Sequence, residues 1–141
     1  MEVFLGGTCA ESGWREELIP LLDMDYFNPV VDDWTEDDYQ IELEKRKSCD
    51  FILYVITPRM EGVYSIAEVV DDSNKRPDIT IFCVLEEDNK ETDGLHDKTK
   101  WTKSQRKSLT AVERMIENNG ALVVNSLQDI AEVLNVIESE T

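Results

Sequence analysis

A chain of 141 residues, 41% of them hydrophobic, is long enough to bury a core as one domain over residues 1–141. Its formal charge of −17 repels polyanions, which excludes DNA, RNA and anionic membrane surfaces as partners and leaves small molecules. Cys9, Cys49 and Cys83 are odd in number and widely spaced, form no CxxC pair and have only His96 to help them, so reduced thiols and no metal are expected. The apolar start Val3-Phe4-Leu5 is too short for a signal peptide or a membrane span, so a cytoplasmic setting is the expectation.

Glu2-Val3-Phe4-Leu5 reads as a first strand, followed at once by Gly6-Gly7-Thr8. Two glycines let a backbone approach a ligand closely, and a helix beyond them would offer N–H groups; a plain tight turn explains the pair equally well. Trp14, Leu18, Leu21 and Leu22 recur at helical spacing, with Pro20 bending or ending the helix, which assigns Trp14 to the core. Tyr26 to Val31 reads as a second strand, ended or bulged at Pro29, and Asp32-Asp33-Trp34 as the loop after it. Thr35 with Asp38 then opens a charged helix to about Lys47, with Tyr39, Leu43 and, as a further candidate, Ile41 as its apolar contacts. Trp34 beside two carboxylates suits a base stacked on the indole and bonded at its edge; a buried tryptophan beside capping acids suits the pattern as well.

The third strand, Phe51 to Ile56, is the most apolar, as a central strand covered on both faces should be. It leaves through Thr57-Pro58-Arg59-Met60-Glu61-Gly62 into a helix with Ile66, Val69 and Val70 inward, ending near Asp72-Ser73-Asn74. Ile79 to Leu85 is a fourth strand, with Cys83 acting as a small hydrophobe. The polar stretch Glu86 to Lys100, with Gly94 and His96, lacks periodicity and reads as a long loop or lid. Thr102 caps a helix carrying Leu109, Val112, Met115 and Ile116 and stopped by Asn118-Asn119-Gly120. Ala121 to Val124 is a fifth strand, and Ser126 starts a last helix with Leu127, Ile130, Val133, Leu134 and Ile137.

Strands alternating with helices predict a three-layer α/β domain, Rossmann-like or flavodoxin-like, with a five-stranded parallel sheet. Ligands bind such sheets outside the carboxyl ends of the strands. The crevice would collect Gly6, Gly7 and Thr8 from the first loop, Asp32 to Trp34 from the second and Thr57 to Glu68 from the third. Two carboxylates bracket the third strand and its loop. Ser65 and Glu68 also fit the S/T-x-x-E capping box, a purely structural use of the glutamate. Asp50 stands at the strand's entry, roughly 20 Å from the loop at about 3.3 Å per residue, so spacing alone makes it the weaker of the two.

Val3-Phe4-Leu5-Gly6-Gly7-Thr8, Trp14-Arg15, Phe27-Asn28-Pro29-Val30-Val31, Trp34 and Tyr64-Ser65-Ile66-Ala67-Glu68 together resemble the nucleoside 2-deoxyribosyltransferase-like proteins over roughly the first 85 residues. The resemblance implies a Rossmann-like domain that needs no cofactor and cleaves the N-glycosidic bond of a nucleoside or nucleotide, with Glu68 as the nucleophile. It implies Asp33, with Asp32, as acids around the base, and Asp50 more loosely as another acid of the motif. Gly6, Gly7 and Thr8 would meet the sugar, Asn28, Trp34 and Tyr64 would line the pocket, and Ser65 would hold a 5′-hydroxyl or 5′-phosphate. Better-known transferases carry a carboxylate six residues before the nucleophile, where this chain has Gly62 beside Glu61. Arg59 is the one cation in the loop and leaves nucleoside and 5′-monophosphate as alternatives. Family transferases often complete the pocket from a neighbouring subunit, which makes a homo-oligomer an expectation. A non-catalytic nucleotide-binding module of the same fold is the alternative reading, and an interaction module acting through its acidic surface a third.

Overall fold

The computed structural model describes residues 1–9, 12–90 and 99–141. Strands β1 (Glu2–Gly7), β2 (Asp25–Phe27), β3 (Phe51–Ile56), β4 (Thr80–Val84) and β5 (Leu122–Val124) form one all-parallel sheet in the order β2-β1-β3-β4-β5. Helices α1 (Trp14–Leu18), α2 (Glu36–Ser48), α3 (Tyr64–Lys75), α4 (Lys103–Asn118) and α5 (Leu127–Ser139) complete a three-layer Rossmann-like α/β fold. The chain order reverses between β1 and β3, and a crevice opens at such a switch point.

Successive strand residues face opposite layers, so one run of apolar residues feeds two cores. On one face Val3, Leu5, Leu53, Val55, Ile81 and Cys83 pack against Trp14 and Leu18 of α1 and Ile130 and Leu134 of α5. On the other, Phe4, Ile52, Tyr54, Ile56 and Phe82 meet Val69 of α3 and Leu109 and Ile116 of α4. Both faces of β3 are covered, hence its uninterrupted apolar sequence.

Several elements differ from expectation. The second strand stops at Phe27, because Pro29 has no N–H for a ladder and the Asn28 side chain accepts a hydrogen bond from Val30 N at 3.1 Å, turning the chain away. After Leu18 the first helix tightens into a single 3₁₀ turn, Ile19–Leu21, with Pro20 inside it. In α2, Tyr39 and Leu43 are only half-buried, and no residue of the helix is buried.

Thr35 with Asp38 and Thr102 with Gln105 make reciprocal capping boxes, and Ser126 accepts from Asp129 N. The third helix does not follow this habit. It begins two residues earlier than a Ser65 cap requires, with Val63 at the N-cap and no side-chain cap, so Ser65 and Glu68 lie inside the helix and form no box. Gly120, at φ +99°, stops α4. Glu87 and Lys100 pair in an antiparallel bridge across the base of the long polar loop, whose Gly94 and His96 lie outside the described residues. No described helix is long and apolar enough to cross a membrane, and the three cysteines are free thiols.

Candidate active site

The two glycines after β1 are fixed by the neighbouring strand. Gly7 has φ +119°, and a Cβ there would lie 2.0 Å from the Val55 carbonyl oxygen, so no other residue fits. A Cβ on Gly6, which pairs with Tyr54 in register, would sit 2.8 Å from Tyr54 Cε1. The missing side chain is what admits the tyrosine ring. Thr8 closes the turn: its hydroxyl accepts from Thr57 N at 3.0 Å, tying the first loop to the third.

Trp14 and Arg15 hold this turn from the other side. The indole N–H donates to Thr8 O at 2.9 Å, and the Arg15 guanidinium donates to Thr8 O at 2.7 Å and to Leu5 O at 2.9 and 3.0 Å. Burial lowers the Arg15 pKa, and its partners are mainly carbonyl groups. The Trp-Arg pair is thus a clamp on the glycine turn.

Between the carboxyl ends of β1 and β3 lies a cavity of about 250 Å³. The first loop lines it with Gly7, Thr8 and Cys9, the third with Arg59, Met60, Glu61 and Gly62, and α3 with Tyr64 and Ser65. This crevice brings together Gly7, Thr8, Arg59, Gly62, Tyr64 and Ser65 of the expected residues, whereas Gly6, Asn28, Asp32, Asp33, Trp34 and Glu68 are not part of its lining. A Cβ on Gly62 would meet nothing within 4 Å, so this glycine leaves space where a side chain would fit. Arg59 is buried and donates to the carbonyls of Asp88 at 3.3 Å and Lys90 at 2.7 Å, bracing the segment after β4. A larger cavity of about 730 Å³ lies between α3 and α4, lined mainly by apolar residues such as Val63, Ile66, Val70 and Leu109. Its polar lining, Asp71, Asn74, Gln105 and Ser108, runs along α3 and α4 and not at the switch point between β1 and β3, where ligands of such sheets bind, so the smaller crevice is the better site.

Glu68 follows Tyr64 and Ser65 by four and three residues, on the same side of α3. Its side chain is 11% exposed, and Oε2 lies 3.7 Å from Arg46 Nε of α2. Burial pushes its carboxyl up to about 7; Arg46 pulls against this, while the charges of Glu42 and Asp72 add to it. Arg46 Nε also contacts Tyr54 Oη at 3.0 Å and Asp72 Oδ2 at 3.1 Å, and the Tyr54 hydroxyl donates to the same Asp72 oxygen at 2.7 Å. Arg76 donates to the other Asp72 oxygen at 2.7 Å. Burial opposes the charge on Asp72, but hydrogen bonds from Arg76, Tyr54 and Arg46 hold its carboxyl below the usual range. One carboxylate of the pair is held charged while its neighbour is poised near neutrality.

The other expected residues are placed as follows. Asp32, Asp33 and Trp34 are exposed in the segment between β2 and α2, as is Asn28. The Trp34 indole donates to Glu42 Oε2 at 3.4 Å, and Glu42 acts electrostatically on Glu68, so Trp34 is linked to the carboxylate through α2. Asp50 is not part of the crevice. It lies at the amino end of β3, where its carboxylate accepts from Glu2 N at 2.8 Å and its own N–H donates to Glu2 O at 2.8 Å. The full length of the strand separates it from the loop.

Sequence reasoning missed Arg46, Tyr54, Asp72 and Arg76. A weak signal existed: Glu68, Asp72 and Arg76 recur every four residues, one turn apart on a helix, and Tyr54 is a lone hydroxyl in a buried strand. Searches of the curated proteins and of the solved structures each found no match. The family described as nucleoside 2-deoxyribosyltransferase like matches residues 1–88, which carry β1 to β4, α1 to α3 and every residue of the crevice and its buried network. The chain belongs to the nucleoside 2-deoxyribosyltransferase-like family.

Proposed function

We propose that this protein cleaves the N-glycosidic bond of a (deoxy)nucleoside or nucleoside 5′-monophosphate, with Glu68 as the nucleophile. The observation that carries the reading is the state of Glu68: a nearly buried carboxylate within α3, engaged in no cap, beside an arginine and close to neutrality in pKa.

The sugar occupies the crevice over Gly7 and Thr8. A Glu68 oxygen bonds to C1′, the C1′–N bond breaks with its electron pair going to the base, and the base takes up a proton. Asp33, Asp32 or a water supplies that proton. A second base or a water then attacks C1′ and releases Glu68 as the carboxylate, losing its own proton where water is the acceptor. The burial of Arg59 and its bonds to loop carbonyls support a bracing role, so Arg59→Ala is expected to lower turnover of nucleoside and monophosphate alike. Loss for the monophosphate alone would assign Arg59 to the phosphate.

Incubation with a panel of deoxynucleosides and their monophosphates, with chromatographic detection of free base, tests the proposal. Glu68→Gln is expected to lose more than about a thousandfold in base release while keeping the native circular dichroism spectrum. Turnover retained in the folded variant would refute the nucleophile. The open space at Gly62, where better-known transferases carry a carboxylate, favours the second reading, a nucleotide-binding module. That reading predicts saturable binding with no base released by the native protein.

A further inference from the structure

Arg46 stands at the centre of the buried polar network without lining the crevice. Its Nε lies 3.1 Å from Asp72 and 3.7 Å from Glu68, its Nη2 lies 3.6 Å from Asp71, and the Tyr54 hydroxyl is 3.0 Å from Nε. Its carbonyl accepts from Arg76 Nη1 at 2.8 Å, so the backbone of α2 is fixed here as well. The contact to Asp72 has hydrogen-bonding length, whereas that to Glu68 is longer. Such geometry supplies a charge to Glu68 without committing its oxygen to a strong hydrogen bond.

We propose that Arg46 is a positioning residue for Glu68, favouring its ionised form against burial and holding it in one place while Asp72 and Tyr54 hold the guanidinium. The inference rests on the nucleophilic role of Glu68. When the Glu68 oxygen bonds to C1′ and the base departs with the C1′–N electron pair, the carboxylate becomes a neutral ester and ceases to balance the arginine. Asp72 remains against Arg46 throughout, so the guanidinium keeps a counter-ion in both states. Collapse of the ester returns the charge to a site already prepared for it. Among the described residues, the charged groups acting on Glu68 are Arg46 and Glu42 from α2 and Asp72 from its own helix, with the neutral phenol of Tyr54 from β3 beside them. Arg46 is the only cation among them.

The test is titration of the Glu68 side-chain carboxyl by carbon NMR, alongside the pH profile of kcat/KM for base release. Native protein is compared with Arg46→Met, Arg46→Gln and Arg46→Lys. Gln keeps a donor for Asp72, and so provides a folded neutral variant should Met fail. In the neutral variants the Glu68 midpoint is expected to rise by about one unit or more, with the acidic limb of the profile moving the same way. Lysine is expected to restore most of both. A Glu68 midpoint unmoved in a folded neutral variant overturns the proposal, as does a lysine variant indistinguishable from glutamine. If Glu68→Gln is inactive while the acidic limb ignores Arg46, Arg46 loses this role and the nucleophile stands. Base release surviving in Glu68→Gln removes the nucleophile, and this inference with it.

Discussion

Glu68 is charged at a cost to the fold. Its folded-state pKa, pushed up to about 7 from an ordinary 4.5, lies above the value it would have in the unfolded chain. Below the unfolded value both states hold the proton, and the stabilisation is fully present; it is lost as pH rises through about 7, because the folded state must then bury a charge. An amide resembles the protonated acid. Glu68→Gln is therefore expected to be more stable than the native protein at pH 8 by about 1–3 kcal/mol, with most of the difference gone by pH 5.5. Urea unfolding at the two pH values measures this, and an equal effect at both would show that the carboxyl titrates normally. The same residue shows what a sequence conceals. Ser65-Ile66-Ala67-Glu68 spells a capping box, and only the helix start at Tyr64 reveals that the glutamate is released from it. Tyr54 and Arg46 were hidden more deeply, because a tyrosine in an apolar strand and an arginine in a charged helix look ordinary until the sheet order brings Asp72 against both.

At the level of elements, α2 is the exception. α1, α3, α4 and α5 each bury apolar side chains in one of the two cores, whereas α2 buries none. Polar ties hold it instead: Lys45 to Glu2 at 3.1 Å, Arg46 to Tyr54 and Asp72, and its carbonyl at residue 46 to Arg76. Most of the secondary structure was legible because inward apolar periodicity fixes strands and helices together. For α2 the same logic expected apolar contacts, but Tyr39 and Leu43 are only half-buried and Tyr39 meets the exposed Trp34 ring at 5.3 Å, while its capping box, which needs only local residues, was read correctly. Interactions of this kind weaken with salt, since the screening length falls to about 3 Å at 1 M. Amide hydrogen exchange in α2 is expected to accelerate in 1 M NaCl while α4 keeps its protection. Equal protection of the two helices at both salt concentrations would mean that α2 is held by burial after all.

For the whole molecule, the family match ends at residue 88, yet the two cores do not. Leu109 and Ile116 of α4 complete one, and Leu127, Ile130, Ala131 and Leu134 of α5 complete the other. Full burial of such side chains contributes about 1.5–3 kcal/mol each for the larger ones, together on the order of the whole stability of a domain. A fragment of residues 1–88, though it holds every element of the proposed site, is expected to show no cooperative thermal transition and to bind a hydrophobic dye. A sharp calorimetric peak for that fragment would show that the first four strands form an autonomous core. The later part of the chain was legible as alternating strand and helix because its apolar stripes are long. The reach of the site was not, because Arg15, Arg46 and Asp72 act through contacts that only the assembled layers create.

The sheet also ends abruptly on both sides. Its outer strands, β2 and β5, have three residues each, against five or six in the inner strands. An outermost strand displays unpaired backbone groups to any passing chain, and the shorter it is, the fewer rungs a foreign strand can add. Asp25, exposed on β2, further discourages such an addition. Growth of the sheet from one molecule into the next is therefore poorly templated at either border, and this architecture resists fibril-like association through its edges.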